Sequence, residues 1–158
     1  MHFGAGCGAV PASGPGSFEE MSGDPVATAA SHNPALSRLS DAIKKANLFD
    51  TLNNARDITV FAPANAAFEQ LPASTMNGIV GDNATLSRIL NYHVIGRRLA
   101  PADLGAGNFA SLEGATVSTA GAGEKFTING NTAVICGNVQ TANATVYIVD
   151  SILMPPKG

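Results

Sequence analysis

The chain has 158 residues, a formal net charge of −3, 45% apolar residues and 13% charged ones, which suits one domain with a real core and excludes an intrinsically disordered tail. Its longest basic runs are the pairs Lys44-Lys45 and Arg97-Arg98, so nucleic acid, which needs a clustered basic footprint, is not an expected partner. No stretch of about eighteen uninterrupted apolar residues offers a transmembrane segment.

Residues 1–16 are mostly Gly, Ala, Pro and Ser, and are expected to form an N-terminal arm ahead of a single domain at 17–157. The start MHFGAGCGAV lacks the charged and apolar regions of a secretory signal, so an exported protein would stand here in its mature form. From Ser17 the pattern is helical. Asp24-Pro25 and Asn33-Pro34 each put a capping side chain before a proline suited to a first helical turn, predicting two helix starts. In the second helix Leu36, Leu39, Ile43 and Ala46 share one face, and Arg38, Asp41, Lys44 and Lys45 take the wet side.

Ile58 to Ala62 is β-branched and aromatic, a short buried strand ended by Pro63. Ala64 to Leu71 returns to helix, with Asn65 as its expected cap; Ser74 or Asp82 opens others, the last carrying Leu86, Ile89, Leu90 and His93 or Val94 on its apolar face. After Pro101 the texture changes to strands at 109–112, 115–119, 125–128, 132–136 and 145–153. Asn129-Gly130 marks a tight hairpin, because such turns need positive φ at both central residues. Gly121-Ala122-Gly123, between two strands, suits a turn better than a phosphate cradle. Helices followed by strands predict an α+β domain in which the strand at Ile58 joins the later sheet.

The catalytic inventory is thin. The histidines are His2, His32 and His93, and no GxSxG, HExxH, GxxxxGK[ST] or GxGxxG occurs. A metal centre or a Ser-His-Asp relay would have to be assembled from His32, His93 and scattered carboxylates, so no enzyme activity, cofactor or metal is expected. His93 follows Leu86, Ile89 and Leu90 on the apolar face and is expected to be buried and neutral, its ring nitrogens bonded to backbone. Asn83-Ala84-Thr85 and Asn143-Ala144-Thr145 match the glycosylation sequon. Cys7 and Cys136 can be two buried thiols, or one disulfide closing a loop of about 130 residues, or Cys7 can carry a lipid; the bridge is preferred and points to an oxidising compartment.

Three segments then fall in a telling order. TVFAPANAAF at 59–68 resembles the first signature of the fasciclin (FAS1) domain, Tyr92-His93 within ILNYHVI its central Tyr-His motif, and TANATVYIVDSILMPP at 141–156 its second signature. Thr59, Phe61, Pro63, Asn65, Phe68, Tyr92, His93 and Asp150 are the signature positions. SFEEMSGDPVATAASHNP, LPASTM and AVICGNV further resemble the secreted and lipid-anchored single-domain fasciclin antigens of mycobacteria and related actinobacteria, the immunogenic major secreted protein type.

The resemblance implies a wedge or sandwich of about seven strands with a helical layer from the N-terminal half. It implies a Cys7–Cys136 disulfide and a monomeric, non-catalytic adhesion module, secreted or in the cell envelope, whose partner is an envelope, matrix or cell-surface protein or a glycan. In animal matrix members an Asp-Ile pair before the second signature is linked to integrin binding; the corresponding positions here, Asn138-Val139, lack the acid. Arg97, Arg98 and Asp103, on a loop at 96–108, join Asn138 and Val139 as the candidate interaction surface. The alternative function is binding of a small apolar or lipid-like ligand in a cleft between helices and sheet lined by Phe61, Phe68 and Leu90.

Overall fold

The computed structural model describes residues 17–153 apart from 34, 35, 71, 72, 123, 124 and 131. At its centre lie β1 (Ile58–Pro63) and β7 (Ala144–Val149), each buried at every position. They pair in parallel, from Ile58 opposite Ala144 to Pro63 opposite Val149. Runs of β-branched and aromatic residues without a polar face form strands of this kind, covered on both sides. Around them stand β2 (Val94–Ile95), β6 (Thr132–Gln140), β5 (Lys125–Ile128), β4 (Thr116–Ala122) and β3 (Ala106–Ala110), in the sheet order β2-β1-β7-β6-β5-β4-β3. All neighbours except β1 and β7 are antiparallel.

The sheet curls until its two edges meet. Ile95 bridges antiparallel to Ser111, and the Leu112 N–H donates to the Val94 carbonyl at 2.8 Å. The expected seven strands therefore make a nearly closed barrel, which leaves little unpaired edge. Strand β2 is absent from the sequence reading because two residues directly after a helix are too few to show a period.

Alternation along β1 and β7 divides two cores. Ile58, Val60 and Ala62, with Ala144, Val146 and Ile148, face the helical layer. Phe61, Tyr147 and Val149 point inward among Ile95, Leu99, Leu104, Phe109 and Val117. The Phe61 and Tyr147 rings lie 5.9 Å apart at 36°, a tilted aromatic contact. The helices are α1 (Phe18–Gly23), α2 (Val26–His32), α3 (Ser37–Lys45), α4 (Phe49–Asn54), α5 (Asn65–Glu69), α6 (Ala73–Val80) and α7 (Asn83–Tyr92). Leu39, Ala42 and Ile43 of α3 are buried and Arg38, Asp41, Lys44 and Lys45 exposed, as their spacing predicts.

The caps differ from the sequence expectation. Asp82 does cap α7, its carboxylate accepting from the Ala84 and Thr85 N–H groups at 3.1 and 3.4 Å. Asp24, however, does not cap α2, whose cap position is Pro25 with no side-chain bond. The Val26 N–H donates instead to Asn143 Oδ1 at 2.8 Å, and those of Ala27 and Thr28 to Asn53 Oδ1 at 2.9 and 3.2 Å. Asn143 Nδ2 meanwhile donates to the carbonyls of Leu52, Asn53 and Ala55 at 2.7, 3.2 and 2.8 Å, closing the end of α4.

Asn65 is likewise no cap for its own helix: it is the first residue of α5, whose N-cap is Ala64, without a side-chain bond. It accepts from the Arg38 N–H and donates to Ser37 Oγ, both at 2.9 Å, and so caps α3 in the place expected for Asn33. A first-turn N–H donates to any well-placed oxygen, and three of these oxygens come from remote asparagines rather than from the preceding residue.

Asn129 and Gly130, between β5 and β6, take the positive φ expected of them, 54° and 79°, but Ile128 pairs with Thr132, so the connection is one residue longer than a two-residue turn. Gly121 sits at φ 142°, and a Cβ there would lie 2.1 Å from the Lys125 carbonyl oxygen. Its place is a close backbone approach at the end of β4, consistent with a turn; Gly123 lies outside the described residues.

Replacing Asn143 by Ala is expected to lower unfolding stability by about 2–3 kcal/mol, because one side chain serves two helix ends at once. Asn65→Ala should cost about 1 kcal/mol through α3. Unchanged midpoints of both variants in urea melts would refute this.

Candidate functional site

The candidate surface is built at one end of the barrel by the segment joining β2 to β3. Leu99 and Leu104, both 0% exposed, drop from this segment into the barrel interior. A 3₁₀ turn at Pro101–Leu104 follows Leu99 and ends on Leu104, shortly before β3. Thr59, the second residue of β1, donates its hydroxyl to the Arg97 carbonyl at 2.8 Å and accepts from the Leu99 N–H at 2.7 Å. Tyr147 Oη donates to the Leu99 carbonyl at 2.7 Å; burial, and secondarily the charge of Asp103, push its phenol well above the usual tyrosine range. Asp103 Oδ2 accepts from the Ala100 N–H at 2.9 Å. The backbone here is held from both sides, an ordered loop on a rigid scaffold.

Arg97 and Arg98 use that platform differently. Arg97 is exposed, its guanidinium 5.3 Å from the centre of the Phe109 ring, a cation–π distance. Arg98 lies 3.5 Å from the Asp57 carboxylate and donates to Gln140 Oε1 at 2.8 Å. Gln140 Nε2 in turn donates to Asn138 Oδ1 at 2.8 Å, so Arg98 and Asn138, distant in sequence, belong to one polar chain. Asn138 has φ 56° where the β6–β7 register shifts, the αL geometry of a bulge that Asn tolerates. Val139 is a correction: at 1% exposure it packs against the helix-facing core and presents nothing to a partner. Beyond Asp57 the surface continues into an open polar groove of about 420 Å³ lined by Asn53, Asn54, Arg56, Asp57 and Asn143, which no sequence motif marks.

The Tyr-His pair is buried toward the other end of the β1–β7 pair. Tyr92 Oη donates to the Thr116 carbonyl at 2.9 Å and accepts from Asn129 Nδ2 at 3.0 Å. His93 is 2% exposed; its Nδ1 lies 2.8 Å from the Ile89 carbonyl and its Nε2 accepts from the Leu153 N–H at 2.8 Å. That pattern requires the neutral tautomer with the proton on Nδ1. Burial pushes its pKa down to about 4, although the bond to Ile89 opposes the shift. Asp150 Oδ1 accepts from the Ala133 N–H at 2.9 Å and ties β6 to the end of β7.

The expected apolar cleft is also corrected. Phe61 lies inside the barrel, whereas Phe68 and Leu90 are on the opposite face of the sheet and line a void of about 20 Å³, room for about one water. Of the two sequons, Asn83 is exposed at the start of α7, while the amide of Asn143 is already engaged by three carbonyls. Cys136 is fully buried and carries no free thiol; Cys7 lies outside the described residues. Among the described residues no helix is long and apolar enough to cross a membrane.

A family model described as the fasciclin domain matches residues 34–155. The chain belongs to the fasciclin domain family. It is 47% identical over 161 residues to the Immunogenic protein MPB70 of Mycobacterium bovis, covering 97% of this chain and 82% of the relative. It is 47% identical over 162 residues to the Cell surface glycolipoprotein MPT83 of Mycobacterium tuberculosis, covering 98% and 72%. Protein sll1483 of Synechocystis is 33% identical over 129 residues, covering 80% and 71%. Among solved structures, a FAS1 domain pair from the insect cell adhesion molecule Fasciclin I shares the fold at a TM-score of 0.61 and 24% identity, over 78% of this chain and 46% of that one. Within this fasciclin domain, α1 and α2 precede the matched segment.

The buried imidazole makes stability depend on pH. His93 protonates near 6.5 when unfolded and near 4 when folded, so between those values the unfolded chain binds more protons. Its contribution is complete above about pH 6.5 and is lost as the pH falls to about 4, by about 3 kcal/mol at most. His93→Gln should flatten that part of the stability curve. An NMR titration of the folded protein with a His93 midpoint near 6.5 would contradict it.

Proposed function

We propose that this fasciclin domain is a non-catalytic adhesion or interaction module of the cell envelope or the extracellular space. It presents Arg97, Arg98, Asp103 and Asn138, with the adjoining polar groove, to an envelope, matrix or cell-surface protein or glycan, and acts as a monomer. The observation that carries this is the loop at 96–105. Its backbone is already bonded to Thr59, Tyr147 and Asp103, so a partner meets charged side chains on an ordered platform and little loop ordering opposes binding.

The non-catalytic part rests on how the polar side chains are occupied. Tyr92 and His93 are committed to structural hydrogen bonds, and the surface group contains no nucleophile beside a base. The relative MPT83 is a cell surface glycolipoprotein by name, which supports a surface location for this chain as well.

A Cys7–Cys136 disulfide fits the same setting. Helix α1 packs against β6, the strand that carries Cys136. The residues between Cys7 and Ser17 reach up to about 30 Å when extended, ample to bring the two sulfurs together. Closing that long loop is worth about 4–5 kcal/mol in the chain-entropy model.

Two measurements test these statements. The purified domain should capture a partner from envelope or matrix preparations, and Arg97→Glu should weaken capture about tenfold while leaving the melting curve unchanged; the absence of capture, or indifference to the charge reversal, would sink the proposal. A thiol assay on the denatured, unreduced protein should find no titratable thiol, and finding two would remove the disulfide and with it the support for an oxidising compartment.

A further inference from the structure

A second polar group lies on the helical layer, away from the barrel-end loop. Glu20, in the first turn of α1, stands four residues before Asp24, which ends that helix, and His32 is the last residue of α2. His32 Nδ1 is 2.7 Å from Glu20 Oε1 and 3.7 Å from Asp24 Oδ2, and one ligand atom from each of the three lies within 4.8 Å of the others. Donor atoms around a tetrahedral zinc at 2.0–2.2 Å sit about 3.4 Å apart. Small side-chain rotations bring this set onto one ion.

Two independent features of the fold favour a cation over a plain ion pair. The first-turn N–H groups of α2 are taken by Asn53 and Asn143, and the carboxylate of Asp24, the residue before the cap position Pro25, lies 3.7 Å from His32 Nδ1. Neither Glu20 nor Asp24 is paired with a Lys or Arg among the described residues, so two carboxylates converge on one imidazole with no other basic side chain beside them. All three side chains are 29–44% exposed, and an ion can reach them from solvent.

We infer that Glu20, Asp24 and His32 form a binding site for a divalent transition cation of the zinc class, joining α1 to α2. One imidazole nitrogen with two carboxylates is a borderline donor set, which suits Zn²⁺ or Co²⁺, whereas Mg²⁺ and Ca²⁺ prefer oxygen alone. Three protein ligands leave the fourth tetrahedral position to water. Because the cation binds the folded arrangement and not the separated chain, it also raises the stability of this helix pair.

Calorimetric titration of the full chain, freed of metal, with ZnCl₂ tests the site. One equivalent is expected to bind, and MgCl₂ at the same concentration should not compete. His32→Asn and Glu20→Gln should each weaken Zn²⁺ binding at least about tenfold, whereas His2→Ala should leave it unchanged. Amide resonances of residues 20, 24 and 32 should shift on Zn²⁺ addition in the parent and not in His32→Asn, and matching melting curves without metal will show that the variants fold. No Zn²⁺ binding, or binding that survives His32→Asn, overturns the inference.

Discussion

The parallel pairing of β1 with β7 is the constraint on which the rest of this molecule depends. Both strands are buried on both faces, so each supplies side chains to two cores at once. Ile58, Val60 and Ala62 hold the helices, while Phe61, with Tyr147 and Val149 across the register, fills the barrel. A slip of one residue would send every one of these side chains to the wrong core. The same pair also anchors the candidate surface, because Thr59 and Tyr147 reach past the barrel interior to hold the backbone at Arg97 and Leu99. The segments that most resemble family signatures are therefore a structural partnership, and the side chains offered to solvent lie on the loop they position.

Asparagine is the second organising element. Asn53, Asn65 and Asn143 each bond to the start of a helix that is not their own. Their amides both donate and accept, which an aspartate at the same places could not do. Asn143 uses this most fully, accepting from α2 and donating to the end of α4. Local rules had assigned these starts to Asp24 and Asn33, and Asn65 to its own helix. Capping chemistry was legible as a requirement, but its supplier was not, because a helix end recognises an oxygen in space and not a neighbour in sequence.

The two polar regions illustrate different uses of charge. At the barrel end, Arg98 is engaged by Asp57 and Gln140 and Arg97 lies over Phe109, so the charges are displayed in set positions. On the helical layer, Glu20, Asp24 and His32 converge without a basic partner among the described residues. Of the surface expected from sequence, Arg97, Arg98 and Asp103 come from one loop and Asn138 joins them through Gln140. Val139 does not, because the bulge that turns Asn138 outward turns the next residue into the core. The glutamate–aspartate–histidine group escaped sequence reasoning because its spacing matches no metal motif and the helices had to pack before the three could meet.

By itself, the sequence determined the local matters: most of the helices and strands, though not β2 or α4, the positive φ at Asn129-Gly130, the apolar register that buries His93, and, through three short segments, membership of the fasciclin family. These follow from periodicity and from backbone preferences that act over a few residues. Tertiary structure alone decided what depends on distant groups meeting: the closing of the sheet through Ile95 and Ser111, the separation of Phe61 from Phe68 and Leu90 into different cores, the exchange of helix caps among asparagines, and the gathering of Glu20, Asp24 and His32. Each is a contact between residues far apart in the chain, set by how two cores pack against the shared β1–β7 pair, and no local pattern carries that information.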